Sequence, residues 1–513
     1  MFSRAYSATV LGIEAVVIQV EADMSEGLPM FQMVGYLSSE VKEAKERVRI
    51  AMKNSGFLLL PKKITVNLSP ADIRKEGTAF DLPIAIAILA SFGMIPDDNL
   101  NQTLFIGELS LDGTVQCVSG VLPIVYTAKQ QGFHRCIVPM ENAKEAAAQD
   151  GIEVIGVKNL KEAVSYLNNR TYLEPTYVNT NQLFQDYVPK ENIDFSDVVG
   201  QELVKRALEI AVSGMHNILL IGPPGSGKTM LAKRVPTIMP KLTFDESIEI
   251  TKVYSVSGLL NEDQSLILER PFRSPHHTVT STALIGGGRI PKPGEISLAT
   301  GGVLFLDELA EYHRGTLELL RQPIEERNVT IARLNGTYHY PANFMLVGAM
   351  NPCCCGSYPD MNRCTCTPTQ VKRYLQKISK PLLERIDIVI ETQPVDYSSL
   401  NGKKSNESSK DILERVMEAR ERQLHRYENE PIFFNSQLSP RTMRQYCSLG
   451  TKERTLMENV FERLNLSARM YHRIIKVART IADLAGSEEI KTVHLSEAIC
   501  YRSLDQKYWG KEQ

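Results

Sequence analysis

The chain has 513 residues, more than one hydrophobic core normally supports, so roughly two to four domains are expected. Apolar residues make up 43% and charged residues 23%, the balance of an ordinary soluble globular protein. A formal net charge of -2 excludes a global electrostatic pull toward nucleic acid, leaving local patches, or a ring that concentrates them, as the routes to such a partner.

Met1–Val10 lacks an uninterrupted apolar stretch, so no signal peptide is expected, and the longest apolar run, Leu82–Leu89, is too short to cross a bilayer. Residues 1–168 alternate β-like runs (Ala15–Val20, Lys63–Asn67, Ile137–Val138) with helical stretches (Ser39–Ser55, Asp81–Phe92), which predicts a compact α/β domain. Residues 169–192 are polar with little apolar periodicity and read as a linker. Residues 193–400 carry strand, glycine loop and helix in the order of a nucleotide-binding α/β core. After a polar break at Asn401–Lys410, residues 401–513 read as helical. There Ile474, Ala478, Ile481 and Ala485 fall on one face of an amphipathic helix.

His216–Ile221 reads as a buried strand running straight into Gly222, Pro223, Pro224, Gly225, Ser226, Gly227, Lys228 and Thr229. The glycines let the backbone curl so that N–H groups face phosphate oxygens, and the helix that follows adds its partial positive charge. In this pattern Lys228 reaches the β- and γ-phosphates of ATP and the Thr229 hydroxyl ligates magnesium. Gly301–Glu308 supplies the partner, an apolar strand delivering Asp307 to the magnesium and Glu308 to the attacking water.

Val329–Tyr340 reads as a β-hairpin turning at Asn335-Gly336, with Arg333 near the tip and Tyr338 and His339 on the returning strand. An ordinary surface hairpin is the alternative. Phe344–Asn351 is a third buried strand, and Asn351 at its end is placed for the γ-phosphate or the lytic water; a strand-end cap is the plainer reading.

Nine cysteines are present and five of them crowd into 353–366, which favours a reducing cytoplasm and a metal site over disulfides. Cys353, Cys355, Cys364 and Cys366 form two C-x-C pairs, a ligand set for one structural zinc, with Cys354 directed away. An iron–sulfur cluster, redox thiols or unmetalled cysteines remain open alternatives.

These strands, with Val199-Gly-Gln201, Phe272-Arg-Ser-Pro-His-His277, Leu284-Ile-Gly-Gly-Gly288, Pro293-Gly-Glu-Ile296 and Asn351-Pro-Cys353, resemble the magnesium-chelatase-like AAA+ ATPases, and among them the YifB/ComM family, over essentially the whole chain. The resemblance implies an AAA+ P-loop core with a helical lid and use of ATP and magnesium. It implies that Arg385, in Pro381–Asp387, is an arginine finger reaching a neighbouring subunit, and that Arg469 is the sensor arginine of the lid, with Arg473 in reserve. It further implies a homo-oligomeric ring, a hexamer, in which the hairpin points Arg333 and Tyr338 into the pore. ComM-type relatives imply branched or single-stranded DNA as partner and branch migration in recombination or natural transformation; a chelatase-type motor acting on a protein partner is the alternative. Val66–Leu82 and Gly107–Gly113 resemble the proteolytic domain of Lon. The serine and lysine of that catalytic dyad fall on Ala79 and Leu122, which implies a Lon-like domain without proteolysis. A Lon-like regulator binding proteins is a third reading.

Overall fold

The computed structural model describes residues 2–188, 193–261, 263–333, 336–360, 362–394 and 406–510. The end of the expected linker (189–192), the Asn335 turn, residues 395–400 and the first half of the second polar break (401–405) therefore lie outside the described residues.

The amino-terminal part is a seven-stranded mixed sheet. Its strands are β1 (Phe2–Leu11), β2 (Glu14–Ser25), β3 (Met30–Val34), β4 (Lys63–Ser69), β5 (Thr103–Phe105), β6 (Arg135–Pro139) and β7 (Glu153–Val157), in the order β3-β4-β2-β1-β5-β6-β7. Helices that cover it include α1 (Ser39–Asn54), α2 (Asp81–Ser91) and α3 (Val121–Gln130). Ser38 starts α1 by accepting from the Val41 N–H, a side-chain cap on an orphan donor. Every residue of α2 is buried, which explains why its sequence shows no polar face.

The segment expected as a linker carries one short helix. Residues 180–186 form a short helix, α4 (Thr180–Asp186), because Asn179 caps it through the Gln182 N–H and Phe184 packs beside Leu122 and Ile248. One aromatic contact fixes a segment whose polar composition gives no helical period.

The core places α5 (Glu202–Gly214), β8 (Ile218–Ile221), α6 (Lys228–Arg234), α7 (Phe244–Ser257), β9 (Phe272–Arg273) and β10 (Val303–Leu306) before the hairpin strands β11 (Asn328–Arg333) and β12 (Gly336–Pro341). Then come β13 (Met345–Met350), α8 (Pro368–Leu375) and β14 (Ile388–Glu391). Strands β9-β10-β13-β8-β14 form one parallel sheet, with β8 between β13 and β14. Ile218–Ile221, Val303–Leu306 and Met345–Met350 are buried at every position, as a parallel sheet covered on both faces requires.

The tail is helical: α9 (Ser409–Arg426), α10 (Pro440–Tyr446), α11 (Thr451–Arg463), α12 (Ala468–Leu484) and α13 (Thr492–Trp509). Ile474, Ala478 and Ile481 on α12 are buried and the helix packs on α5 and α13, whereas Ala485 is its exposed C-cap. Among the described residues no helix is long and apolar enough to cross a membrane.

Candidate nucleotide-binding site

Strand β8 ends at Ile221 and the glycine loop turns back from the carboxyl edge of the sheet. Gly222 passes so close to Thr392 that a Cβ there would lie 2.0 Å from its Oγ1, so only glycine fits. Gly227, at φ +84°, opens α6 from a left-handed conformation. Ser226 ties the loop down by donating to the Pro223 carbonyl at 2.8 Å and sharing a 2.7 Å hydrogen bond with Thr392 Oγ1.

Lys228 Nζ folds into the loop, donating to the carbonyls of Gly222 (2.8 Å) and Pro223 (2.9 Å) and to Asn351 Oδ1 (3.2 Å). Burial pushes this ammonium below the usual lysine range and the Asp307 charge opposes the shift. Thr229 Oγ1 donates to Asp307 Oδ2 at 2.7 Å. That separation is near the ~3 Å between adjacent oxygens of an octahedral ion with ~2.1 Å bonds, so the pair fits magnesium.

Glu308 follows at φ +50° with its side chain 59% exposed. His277 Nδ1 lies 3.3 Å from Glu308 Oε2. Its ring lies tilted at 35° against His276 with centroids 4.0 Å apart and meets Tyr312 edge-on at 6.4 Å, while the Tyr312 hydroxyl donates to the Pro275 carbonyl at 2.5 Å. The sequence reading used Phe272–His277 as a family pattern and gave His277 no role. The available signal was an imidazole just past a strand, and what it lacked was the adjacency of β9 and β10 in the sheet.

Arg385 stands at the other end. It precedes β14, whose Ile388 pairs with Ile218 at the start of β8, whereas the loop leaves β8 after Ile221. Four residues of strand separate the two ends by on the order of 13 Å. The guanidinium is nearly buried, donating to the carbonyls of Arg321 (3.1 Å) and Pro381 (2.7 Å) and pairing with Glu325 at 2.8 Å. Arg469 reaches the same place, 3.8 Å from both Glu325 and Glu384, and is 55% exposed. A cavity of about 440 Å³ lined by Arg321, Glu325 and Arg385 opens there. The reserve choice, Arg473, is instead locked onto buried Asp387.

Arg333 is exposed on β11, its Nε 3.4 Å from the Gly288 carbonyl. Tyr338 requires correction as a DNA-stacking residue, because it is only 7% exposed. It pairs across the hairpin with Ile331 on the buried face, next to Tyr340, and what remains open of it lines a cavity of about 360 Å³ shared with Glu76 and Val118, not an exposed surface.

Cys353, Cys355, Cys364 and Cys366 converge with all sulfurs within 4.8 Å of one another. The sulfurs lie 3.3 Å (353–355), 3.8 Å (353–364) and 3.6 Å (355–364) apart. Tetrahedral zinc with ~2.3 Å bonds sets sulfurs about 3.8 Å apart, so the cluster fits one such ion, whereas several irons would spread the thiolates farther. The Ser357 N–H, then the Cys353 side chain, pull the Cys355 thiol well below its ordinary range. Cys354 is exposed and outside the group.

A glycine-rich phosphate loop, a strand-end Asp–Glu pair and an Asn on the neighbouring strand, all on a five-stranded parallel sheet, define a P-loop ATPase of the AAA+ type. Sequence models for "Magnesium chelatase, subunit ChlI" match residues 194–400, those for "Subunit ChlI of Mg-chelatase" residues 20–142, and those for "Magnesium chelatase, subunit ChlI C-terminal" residues 406–502. Competence protein ComM of Haemophilus influenzae is 42% identical over 501 residues, 97% of each chain. YifB of Escherichia coli is 42% identical over 511 residues, 98% of this chain and 97% of its own. Lon protease 2 of Bacillus subtilis matches at 31% over 147 residues, 28% of this chain and 26% of its own. The chain belongs to the YifB/ComM family of magnesium-chelatase-like AAA+ ATPases.

Proposed function

We propose that this protein is an ATP-hydrolysing ring motor that acts on branched or single-stranded DNA in the cytoplasm, a branch-migration factor of recombination or natural transformation. The observation that carries the motor reading is the division of its site. Lys228, Thr229, Asp307 and Glu308 lie at one end of the core sheet and Arg385 with Arg469 at the other, so a complete site needs two copies. Repetition of that head-to-tail contact closes a ring, which we take to have six subunits. The competence relative, similar along almost its full length, supports DNA as the substrate.

In this reading residues 193–400 are the motor core, 401–513 its helical lid, 169–192 a linker and 1–168 a Lon-like domain. Proteolysis is absent because Ala79 has no nucleophile and Leu122, fully buried, takes no proton. Lys228 leaves the loop carbonyls for the β- and γ-phosphates. Thr229 and Asp307 hold magnesium, which when bound with ATP neutralises charge on the phosphate oxygens. Glu308, held by His277, takes the proton of the attacking water, and Asn351 orients that water. Arg385 and Arg469 exchange Glu325 and Glu384 for the neighbour's γ-phosphate. Arg333 contacts the DNA backbone, and the four cysteines hold a structural zinc.

ATP turnover measured with forked DNA, linear duplex and unstructured protein tests the reading. Stimulation by forked DNA is expected, and Arg333→Ala should weaken DNA binding a few-fold without altering DNA-free turnover. Stimulation by protein and none by DNA would replace it with a chelatase-type motor on a protein partner, the reading favoured by the match to a magnesium chelatase subunit.

A further inference from the structure

The four-cysteine knot touches the phosphate loop. Asn351, which accepts from Lys228 Nζ, directly follows β13, and fully buried Cys353 comes two residues on, in one apolar cluster with Ile221 and Met350. The chain then turns over the loop. Gly356 donates its N–H to the Cys353 carbonyl at 3.0 Å and sits at φ +82° directly against Pro224. A Cβ on Gly356 would lie 2.4 Å from Pro224 Cδ and 2.9 Å from its Cγ. Tyr358 donates its N–H to Cys353 Sγ at 3.4 Å and its ring lies 6.2 Å from that of Tyr508, which closes the knot from outside.

Between Met350 and Pro368 the described residues form no strand or helix of their own. Such a length of irregular chain pays heavily in conformational entropy to hold one glycine against one proline. Four thiolates ligating one metal ion would supply that order, since metal binding at a site of this kind is also folding free energy.

We propose that the metal-bound cysteine knot is a brace for the phosphate loop, so that zinc occupancy and nucleotide affinity are coupled through the Gly356–Pro224 contact. The proposal rests on Gly222–Thr229 being the ATP site. Because a coupling free energy is reciprocal, nucleotide must retain zinc by the same factor that zinc strengthens nucleotide binding. Zinc content, zinc release to a chelator and affinity for a non-hydrolysable ATP analogue are measured on the full chain. The wild type should carry zinc, and the analogue should slow its release. Stripping the metal, or Cys366→Ser, should weaken analogue binding about tenfold, a typical size for an allosteric coupling.

Gly356→Ala keeps all four thiols, so it should retain zinc yet weaken the analogue about as much, through the crowding of Pro224. Cys354→Ser should change neither reading. Wild-type analogue affinity after zinc removal, or in a zinc-replete Gly356→Ala protein, overturns the brace, as does wild-type protein without zinc. Lys228→Ala separates this from the ATP-site reading: unchanged analogue binding in that variant would sink the site itself, whatever the zinc does.

Discussion

The two ends of the core sheet are built on opposite principles. At the carboxyl end, Lys228, Thr229, Asp307, Glu308 and Asn351 touch one another within one chain, and glycine positions dictate the shape. At the amino end, Arg385 and Arg469 converge on Glu325 with no phosphate site of their own chain in reach. The first end is a receptor finished at folding. The second is a pair of arginines held in ion pairs, with Glu325 as their shared counter-charge. Under the proposed function such a chain carries two half-sites, and its chemistry would depend on assembly.

Breaking the carboxyl end should have the largest effect. Lys228→Ala is expected to abolish productive nucleotide binding, measured by titration with a fluorescent ATP analogue, because no other cation lines the loop among the described residues. Glu308→Gln should keep ATP bound while turnover falls by about a thousandfold, the scale of losing an activating base together with its charge. ATP turnover at the wild-type rate by Glu308→Gln would show that another group activates the water.

Arg385→Ala should bind ATP normally and lose about a thousandfold in turnover, since in the proposed ring the missing donor acts on a neighbour's phosphate. Mixed with Lys228→Ala protein it should regain activity at those interfaces where an intact loop meets an intact arginine. Subunit exchange demonstrated by mass with no regain in turnover would place Arg385 outside the reaction.

The difference between the ends also governs what the sequence made legible. The phosphate loop and β10 could be read because strand, glycine spacing and carboxylates are neighbours along the chain. The hairpin strands were legible for the same local reason, but the direction of Tyr338 was not. Alternation in a strand says that Ile331 and Tyr338 share a face, and only the packing of that face on the core says it is the buried one. Phe184 anchors α4 by a contact more than 60 residues away along the chain, to Leu122 and Ile248, which composition cannot encode. His277 was hidden similarly, because β9 and β10 are adjacent only in the sheet.

Arg469 and Arg473 sharpen the contrast between donor and scaffold on a single helix. Arg473 neutralises Asp387, whose carboxyl is pushed up by burial but held below its ordinary value by Arg473, His216 and the Asn217 N–H. Arg473→Ala should therefore cost about 3–5 kcal/mol of stability in denaturant melts, the penalty of a buried charge left unpaired. Arg469 is half exposed and 3.8 Å from its partners, so Arg469→Ala should leave the melt within about 0.5 kcal/mol and lower turnover roughly tenfold. The reverse pattern, an unstable Arg469→Ala and a slow but stable Arg473→Ala, would exchange their roles.

The smallest effect is expected back at the carboxyl end, from His277. Its Nδ1 contact with Glu308 at 3.3 Å, backed by His276 and Tyr312, restrains a carboxylate that is otherwise more than half exposed. Removing the ring leaves Glu308 able to act but free to visit rotamers turned away from the water. His277→Ala should accordingly lower kcat about fivefold with KM for ATP unchanged, because ground-state binding does not use this contact. His277→Asn, which keeps a polar group near that position, should recover part of the loss. The decisive comparison is a double-mutant cycle: in a Glu308→Gln background, His277→Ala should produce little further loss, since the residue acts only through Glu308. A full fivefold loss in that background would mean that His277 acts on the nucleotide directly, and that the carboxyl end holds one more group than its motifs announce.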